Sequence, residues 1–134
     1  LAEAEEFYGP VLAVLEDKLG ASKGREAWED IVEFMSGRRP SATSDDQRLV
    51  PGTEKCIAIV YQGADAVRKI RDVPGPTDPT KAPPGSIRRE FGQTIMINAA
   101  HASDSAENAK REMQIVQVSE NNLKPLIENF YARP

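Results

Sequence analysis

Ile95-Met96-Ile97-Asn98-Ala99-Ala100-His101-Ala102-Ser103-Asp104-Ser105-Ala106-Glu107 contains the only histidine in a chain of 134 residues. The first half of this stretch, Ile95 to Ala100, is apolar and strand-like. The second half carries helix-start residues: Asp104 reads as an N-cap, with Glu107 three positions on in the manner of a capping box. The spacing therefore predicts a strand that ends at an imidazole and a helix that begins just after it. Ala106, Ala109, Met113 and Val116 would line the buried side of that helix.

Working outward, Cys56 to Tyr61 is a second short, β-rich run and reads as a buried strand, with Cys56 as a small buried hydrophobe. Residues 1–8 read as helix, interrupted by Gly9-Pro10. A further helix over Val11 to Leu19 has Leu12, Leu15 and Leu19 on one stripe and Gly20 as its stop. Residues 25–36 repeat the pattern, with Trp28, Ile31, Val32 and Met35 on one face and Gly37 at the end. Residues 37–54 are polar and read as a long surface loop. Gly63 to Val73 reads as helix, with Val67 and Ile70 inward. Five prolines in 74–84 exclude regular structure there. A last helix is expected over 121–131. Two strands are marginal as a sheet, so the pattern expects further strands from elsewhere.

The totals exclude several classes. The net charge is −4, whereas nucleic-acid-binding domains usually carry a basic excess. One cysteine cannot form an internal disulfide framework, which points to a reducing, cytoplasmic setting. No run approaches the roughly 20 apolar residues of a membrane span.

The chemistry converges on His101. Neutral imidazole is a nucleophile available near pH 7. Seventeen residues upstream stand Pro84-Gly85-Ser86-Ile87-Arg88-Arg89. Phosphoryl transfer needs positioning and charge stabilisation more than covalent help from the protein. Arg71 and Arg88 offer guanidinium forks for phosphate oxygens. Thr77 adds a hydroxyl in the proline-rich loop. Asn98 can bond a sugar hydroxyl or a phosphate, and Glu112 can orient the imidazole. Taken singly, each also has an ordinary reading: a solvated arginine, a helix cap, a surface carboxylate, and for Trp28 a place in the core.

Together these segments resemble one family. Asn98 to Glu107 is similar to the active-site signature of nucleoside diphosphate kinases. Gly75-Pro76-Thr77-Asp78-Pro79 and Pro84-Gly85-Ser86-Ile87-Arg88, followed by Phe91-Gly92, resemble the long loop of that family. The resemblance is clear from Cys56 to about Val116 and weaker over 1–36. It implies an α+β fold of the ferredoxin-like type, an antiparallel sheet with packed helices, over a single domain, 1–134. It implies a ping-pong transfer of the γ-phosphate from a nucleoside triphosphate to a nucleoside diphosphate, with His101 as the phosphorylated nucleophile. Ser103 and Glu112 would support the histidine. Arg71, Thr77 and Arg88 would hold phosphates and Asn98 the ribose or phosphate region. Asp104 would act on Mg²⁺ indirectly, through water or phosphate. Tyr8 falls at the family's active-site tyrosine, and Ile31 at its apolar residue beside the base. The family forms homo-oligomers, hexamers or tetramers.

The pattern also departs from the family. Ala102 follows the histidine where glycine is usual. Arg88-Arg89-Glu90-Phe91 stands where many members have Arg-Gly-Asp-Phe. The base-sandwiching aromatic aligns with Ala27, beside Trp28. Segment 37–54 reads as an insertion typical of a longer bacterial subtype, and 117–134 as a C-terminal extension. The family's first strand with its Lys-Pro-Asp motif, first helix and second strand have no counterpart in these residues. A catalytically inactive nucleotide-binding or oligomerisation module is the alternative expectation.

Overall fold

The structure, a computed structural model, describes residues 1–118 and 123–132. In chain order the helices are α1 (Ala2–Leu19), α2 (Ala21–Ser36), α3 (Asp45–Arg48), α4 (Ala66–Asp72), α5 (Ile87–Phe91), α6 (Ala106–Ile115) and α7 (Leu123–Tyr131), with single 3₁₀ turns at Pro40–Ala42 and Pro79–Lys81. The expected helix over 121–131 is represented by α7. Residues 121 and 122 of that expectation lie outside the described residues, as do 119–120 and 133–134 of the expected extension.

The core is a helical hairpin. One residue, Gly20, separates α1 from α2, and its φ of 84° is open to glycine at little steric cost. Leu1, Trp28 and Val32 are buried between the two helices, with Ala4, Tyr8, Leu12 and Leu15 packed around them. The sequence reading placed a break at Gly9-Pro10, but α1 runs through it. Proline inside a helix removes one backbone donor. Here that leaves the Glu6 carbonyl without its intrahelical partner, and side chains from other elements serve this stretch of α1. Arg111 of α6 donates to Glu6 O (3.2 Å) and to Phe7 O (3.3 Å). Trp28 Nε1 donates to Tyr8 O at 2.9 Å.

The expected ferredoxin-like antiparallel sheet is not there: among the described residues no strand is formed. A strand must find a neighbour about 4.8 Å away to take its N–H and C=O groups. Cys56 to Tyr61 finds none, and Cys56, Ile57, Ile59 and Tyr61 are exposed rather than buried. The second run instead closes on itself. Gln93 N–H and Thr94 N–H both donate to Ile97 O, Ile97 N–H donates to Thr94 Oγ1, and Asn98 Nδ2 donates to Ile95 O. Local turn bonds have taken the groups a ladder would use.

Two smaller corrections concern α6. Its cap is Ser105, whose hydroxyl accepts from Asn108 N–H at 3.0 Å, not Asp104. Its buried residues are Glu112 and Ile115, while Ala106 and Val116 are exposed. On α2, Met35 is likewise exposed, and so is Leu19 on α1. Segment 37–54 carries the 3₁₀ turn at Pro40–Ala42, with Pro40 buried, and α3, and ion pairs fasten it to the hairpin. Arg48 pairs with Glu5 of α1, and Arg39 meets Glu29, Asp30 and Glu33 of α2.

The close approach of α1 and α2 yields a prediction of sign. A Cβ on Gly24 would lie 2.4 Å from Glu16 Cα and N. Helix propensity alone would make Gly24→Ala stabilising by about 1 kcal/mol. The backbone clash should reverse this and lower the urea midpoint, whereas a raised midpoint would show the hairpin to be loosely seated. For comparison, Val32→Ala should cost about 2 kcal/mol in the same titration.

Candidate active site

His101 follows a turn in which Ala99 takes φ 71°, and its side chain is 46 % exposed. The imidazole is therefore presented to solvent and not turned into the core. Its Nε2 lies 3.0 Å from Glu112 Oε2. Ser103 Oγ donates to the same carboxylate oxygen. Glu112 is buried on α6 at 9 % exposure. A buried carboxylate needs donors, and these are supplied by Ser103 and the imidazole, with the Arg111 charge 3.7 Å from Oε1. A carboxylate oxygen only accepts, so it favours a proton on Nε2 and leaves the lone pair on Nδ1.

Two arginines hold the backbone on either side of this histidine. Arg71, at the end of α4, donates from Nη1 to Ala102 O at 3.1 Å. Arg88, on α5, donates from Nε and Nη2 to Ala100 O (3.2 and 2.7 Å) and from Nη1 to Gly75 O (2.6 Å). The sequence separates Arg71 from Ala102 by 31 positions; the fold sets both guanidiniums against carbonyls on either side of His101. Arg88 is 8 % exposed. Burial, and then the charge of Arg71, hold its guanidinium below the ordinary arginine range. Among the described residues neither arginine has a carboxylate partner within salt-bridge distance. Two adjacent, unneutralised cations make an anion-attracting surface.

Asp104 accepts from Asn108 Nδ2 at 2.6 Å, which is the main reason its carboxyl is held below the usual carboxylate range; Arg71 adds to the effect. It lines a shallow cleft of about 480 Å³ with Asp65, Val67, Arg68, Arg71 and Asp72. Among the described residues no cluster of three or more acidic, histidine or cysteine side chains could hold a metal ion by itself.

The other expected site residues are placed less centrally. Thr77 is exposed on the proline-rich loop whose Gly75 carbonyl Arg88 grips, and no hydrogen bond joins it to the His101 cluster among the described residues. Asn98 is half-buried and spends its amide on Ile95 O. Ile31 is half-buried on α2, while Trp28 is buried in the hairpin. Tyr8 is partly buried on α1; burial first, then the charges of Glu112 and Cys56, push its phenol above the ordinary value.

Sequence reasoning missed two neighbours. Phe7 presents its ring edge-on to His101, with centroids 5.1 Å apart at 76°. The Arg111 guanidinium sits 6.0 Å from the Phe7 ring centre. The available signal was Pro10, which leaves a carbonyl on α1 in need of a donor from outside the helix.

Comparison with known proteins agrees with this chemistry. The family model for nucleoside diphosphate kinase matches residues 13–121. A nucleoside diphosphate kinase of Campylobacter hominis is 51 % identical over 91 residues, 68 % of this chain and 55 % of its own length. One from Wolinella succinogenes is 39 % identical over 112 residues, 84 % of this chain and 62 % of its own. Nucleoside diphosphate kinase 2 of Protochlamydia amoebophila is 41 % identical over 92 residues, 69 % of this chain and 53 % of its own. The chain thus spans about half to three-fifths of the curated relatives it matches. A histidine steadied by a buried glutamate between two unpaired guanidiniums and a family match over most of the residues lead to one statement: the chain belongs to the nucleoside diphosphate kinase family.

Proposed function

We propose that the protein containing this chain transfers the γ-phosphate of a nucleoside triphosphate to a nucleoside diphosphate through phospho-His101. One observation carries the reading: an exposed imidazole whose Nε2 is engaged by Glu112, with the Arg71 and Arg88 guanidiniums donating to the backbone on both sides. Nδ1 attacks the γ-phosphorus. The new P–N bond forms as the bond to the β,γ-bridging oxygen breaks, and the nucleoside diphosphate leaves. A terminal oxygen of the acceptor diphosphate then attacks the same phosphorus and the P–N bond breaks, restoring the imidazole. Glu112 and Ser103 hold the ring through both halves. Arg71 and Arg88 meet the phosphate oxygens, and the fork geometry of guanidinium suits them.

The same reading assigns supporting roles. Thr77 is a phosphate donor, Asn98 contacts the ribose or phosphate, and Tyr8 and Ile31 stand toward the nucleotide as the resemblance implies; Trp28, a nucleotide-binding candidate from the sequence, is buried in the hairpin. Mg²⁺ would arrive with the nucleotide and neutralise phosphate charge. Asp104, kept ionised by Asn108 and open on the cleft beside Arg71, fits an indirect hold on it through water or phosphate. We further propose one domain over 1–134, with 37–54 as an insertion and 117–134 as an extension, in a homo-oligomer, a hexamer or tetramer. No described helix is long and apolar enough to cross a membrane. The cytoplasm is the proposed setting, and the net charge of −4 argues against nucleic acid as a partner.

Incubating the full-length protein with γ-labelled ATP and Mg²⁺ should give an acid-labile, alkali-stable label on His101, absent in His101→Ala. Calorimetric ADP binding without label or turnover would support the inactive module instead. Arg71→Gln should weaken use of the nucleotide about tenfold or more, the loss of one charged hydrogen bond. The unchanged kcat/KM of that variant would remove Arg71 from the phosphate site.

A further inference from the structure

We infer that Arg111 is a positioning residue for His101, acting through Glu112 and Phe7; the inference rests on the phosphohistidine reading. Its guanidinium makes three kinds of contact, to α1 and within α6, at one point. One edge donates to the Glu6 and Phe7 carbonyls of α1, where Pro10 has removed a helical donor. Nη2 also lies 3.7 Å from Glu112 Oε1, the carboxylate oxygen not used by His101. Its flat face stands 6.0 Å from the centre of Phe7, whose ring meets the imidazole edge-on. Arg111 Nε is buried without a hydrogen-bond partner among the described residues. A buried, unused donor costs stability, so the geometry is held by what the rest of the fork does.

The consequence is that the hydrogen bond and the aromatic contact of the imidazole both adjoin one side chain. Glu112 has two oxygens: one faces Ser103 and His101, the other faces Arg111. Without Arg111 the carboxylate can rotate about its last bond, and the ring follows it. Phe7 would lose its cationic neighbour and α1 its external donor together. Misplacement of a reacting atom by about 1 Å can slow a reaction on the order of 100-fold.

A merely structural tie would predict something different, and Pro10 allows the two to be separated. In Pro10→Ala the new amide N–H takes the Glu6 carbonyl, so the helix no longer needs Arg111. In the full-length protein, Arg111→Met should lower the single-turnover rate of His101 phosphorylation by about tenfold or more at saturating ATP and Mg²⁺. The half-saturating ATP concentration should stay within about twofold, because the lost contacts are to Glu112 and α1 rather than to nucleotide. Arg111→Lys should recover part of the rate by restoring the charge but not the fork. Pro10→Ala alone should keep the wild-type rate. The double variant Pro10→Ala/Arg111→Met should regain thermal stability while remaining slow. Recovery of rate together with stability in the double variant would overturn the inference, as would an Arg111→Lys protein no faster than a folded Arg111→Met protein, or an Arg111→Met protein of normal rate. Those results would leave the phosphohistidine intact; a wild-type protein that takes no label would overturn that reading and this one with it.

Discussion

Arg88 is the group on which the site's geometry depends. A buried guanidinium carries five N–H donors and must place them. No carboxylate answers it among the described residues, so it turns to backbone, gripping Gly75 from the proline-rich loop and Ala100 from the segment before the histidine. Neither segment has regular structure to fix it. Main-chain bonds from Ile87 N–H to Val73 O and from Arg88 N–H to Pro74 O complete the joint. Among the described residues no carboxylate stands within salt-bridge distance of the Arg88 charge.

The second half of the site hangs on α1. A proline within a helix is ordinarily a defect. In this chain the freed carbonyl becomes a docking point for α6, the helix that bears Glu112. Trp28 and Arg111 approach adjacent carbonyls of α1 from two other helices. Both meet α1 in the turn that carries Phe7, and Arg111 comes from the helix that bears Glu112.

How much of this was legible depended on the range of the forces involved. The helix stops at Gly20 and Gly37 act over a few residues, and the structure agrees with them; of the stripe Trp28, Ile31, Val32 and Met35 it buries Trp28 and Val32 and leaves Met35 exposed, and the proline-rich 74–84 still forms a 3₁₀ turn at Pro79–Lys81. The strand readings of Cys56 to Tyr61 and Ile95 to Ala100 failed for the complementary reason. β-propensity is a preference for a pleated, half-buried surface that a neighbour must supply. Without that neighbour, Thr94 and Asn98 satisfied the backbone locally. Helix α6 was recognised but turned: an apolar stripe was expected inward, whereas the buried carboxylate Glu112 faces the site.

By itself the sequence determined which chemistry was available: one histidine, the arginines at 71 and 88, a glutamate on the helix after the histidine, and turns set by proline and glycine. Those are properties of residue type and short spacing. Only the tertiary structure decided that Arg71 and Arg88 close on carbonyls either side of His101, that Glu112 reaches its Nε2, and that Phe7 and Arg111 stand behind it. Such contacts join positions as far apart as Phe7 and Arg111, and hydrogen bonds across that distance exist only once the chain has folded back on itself.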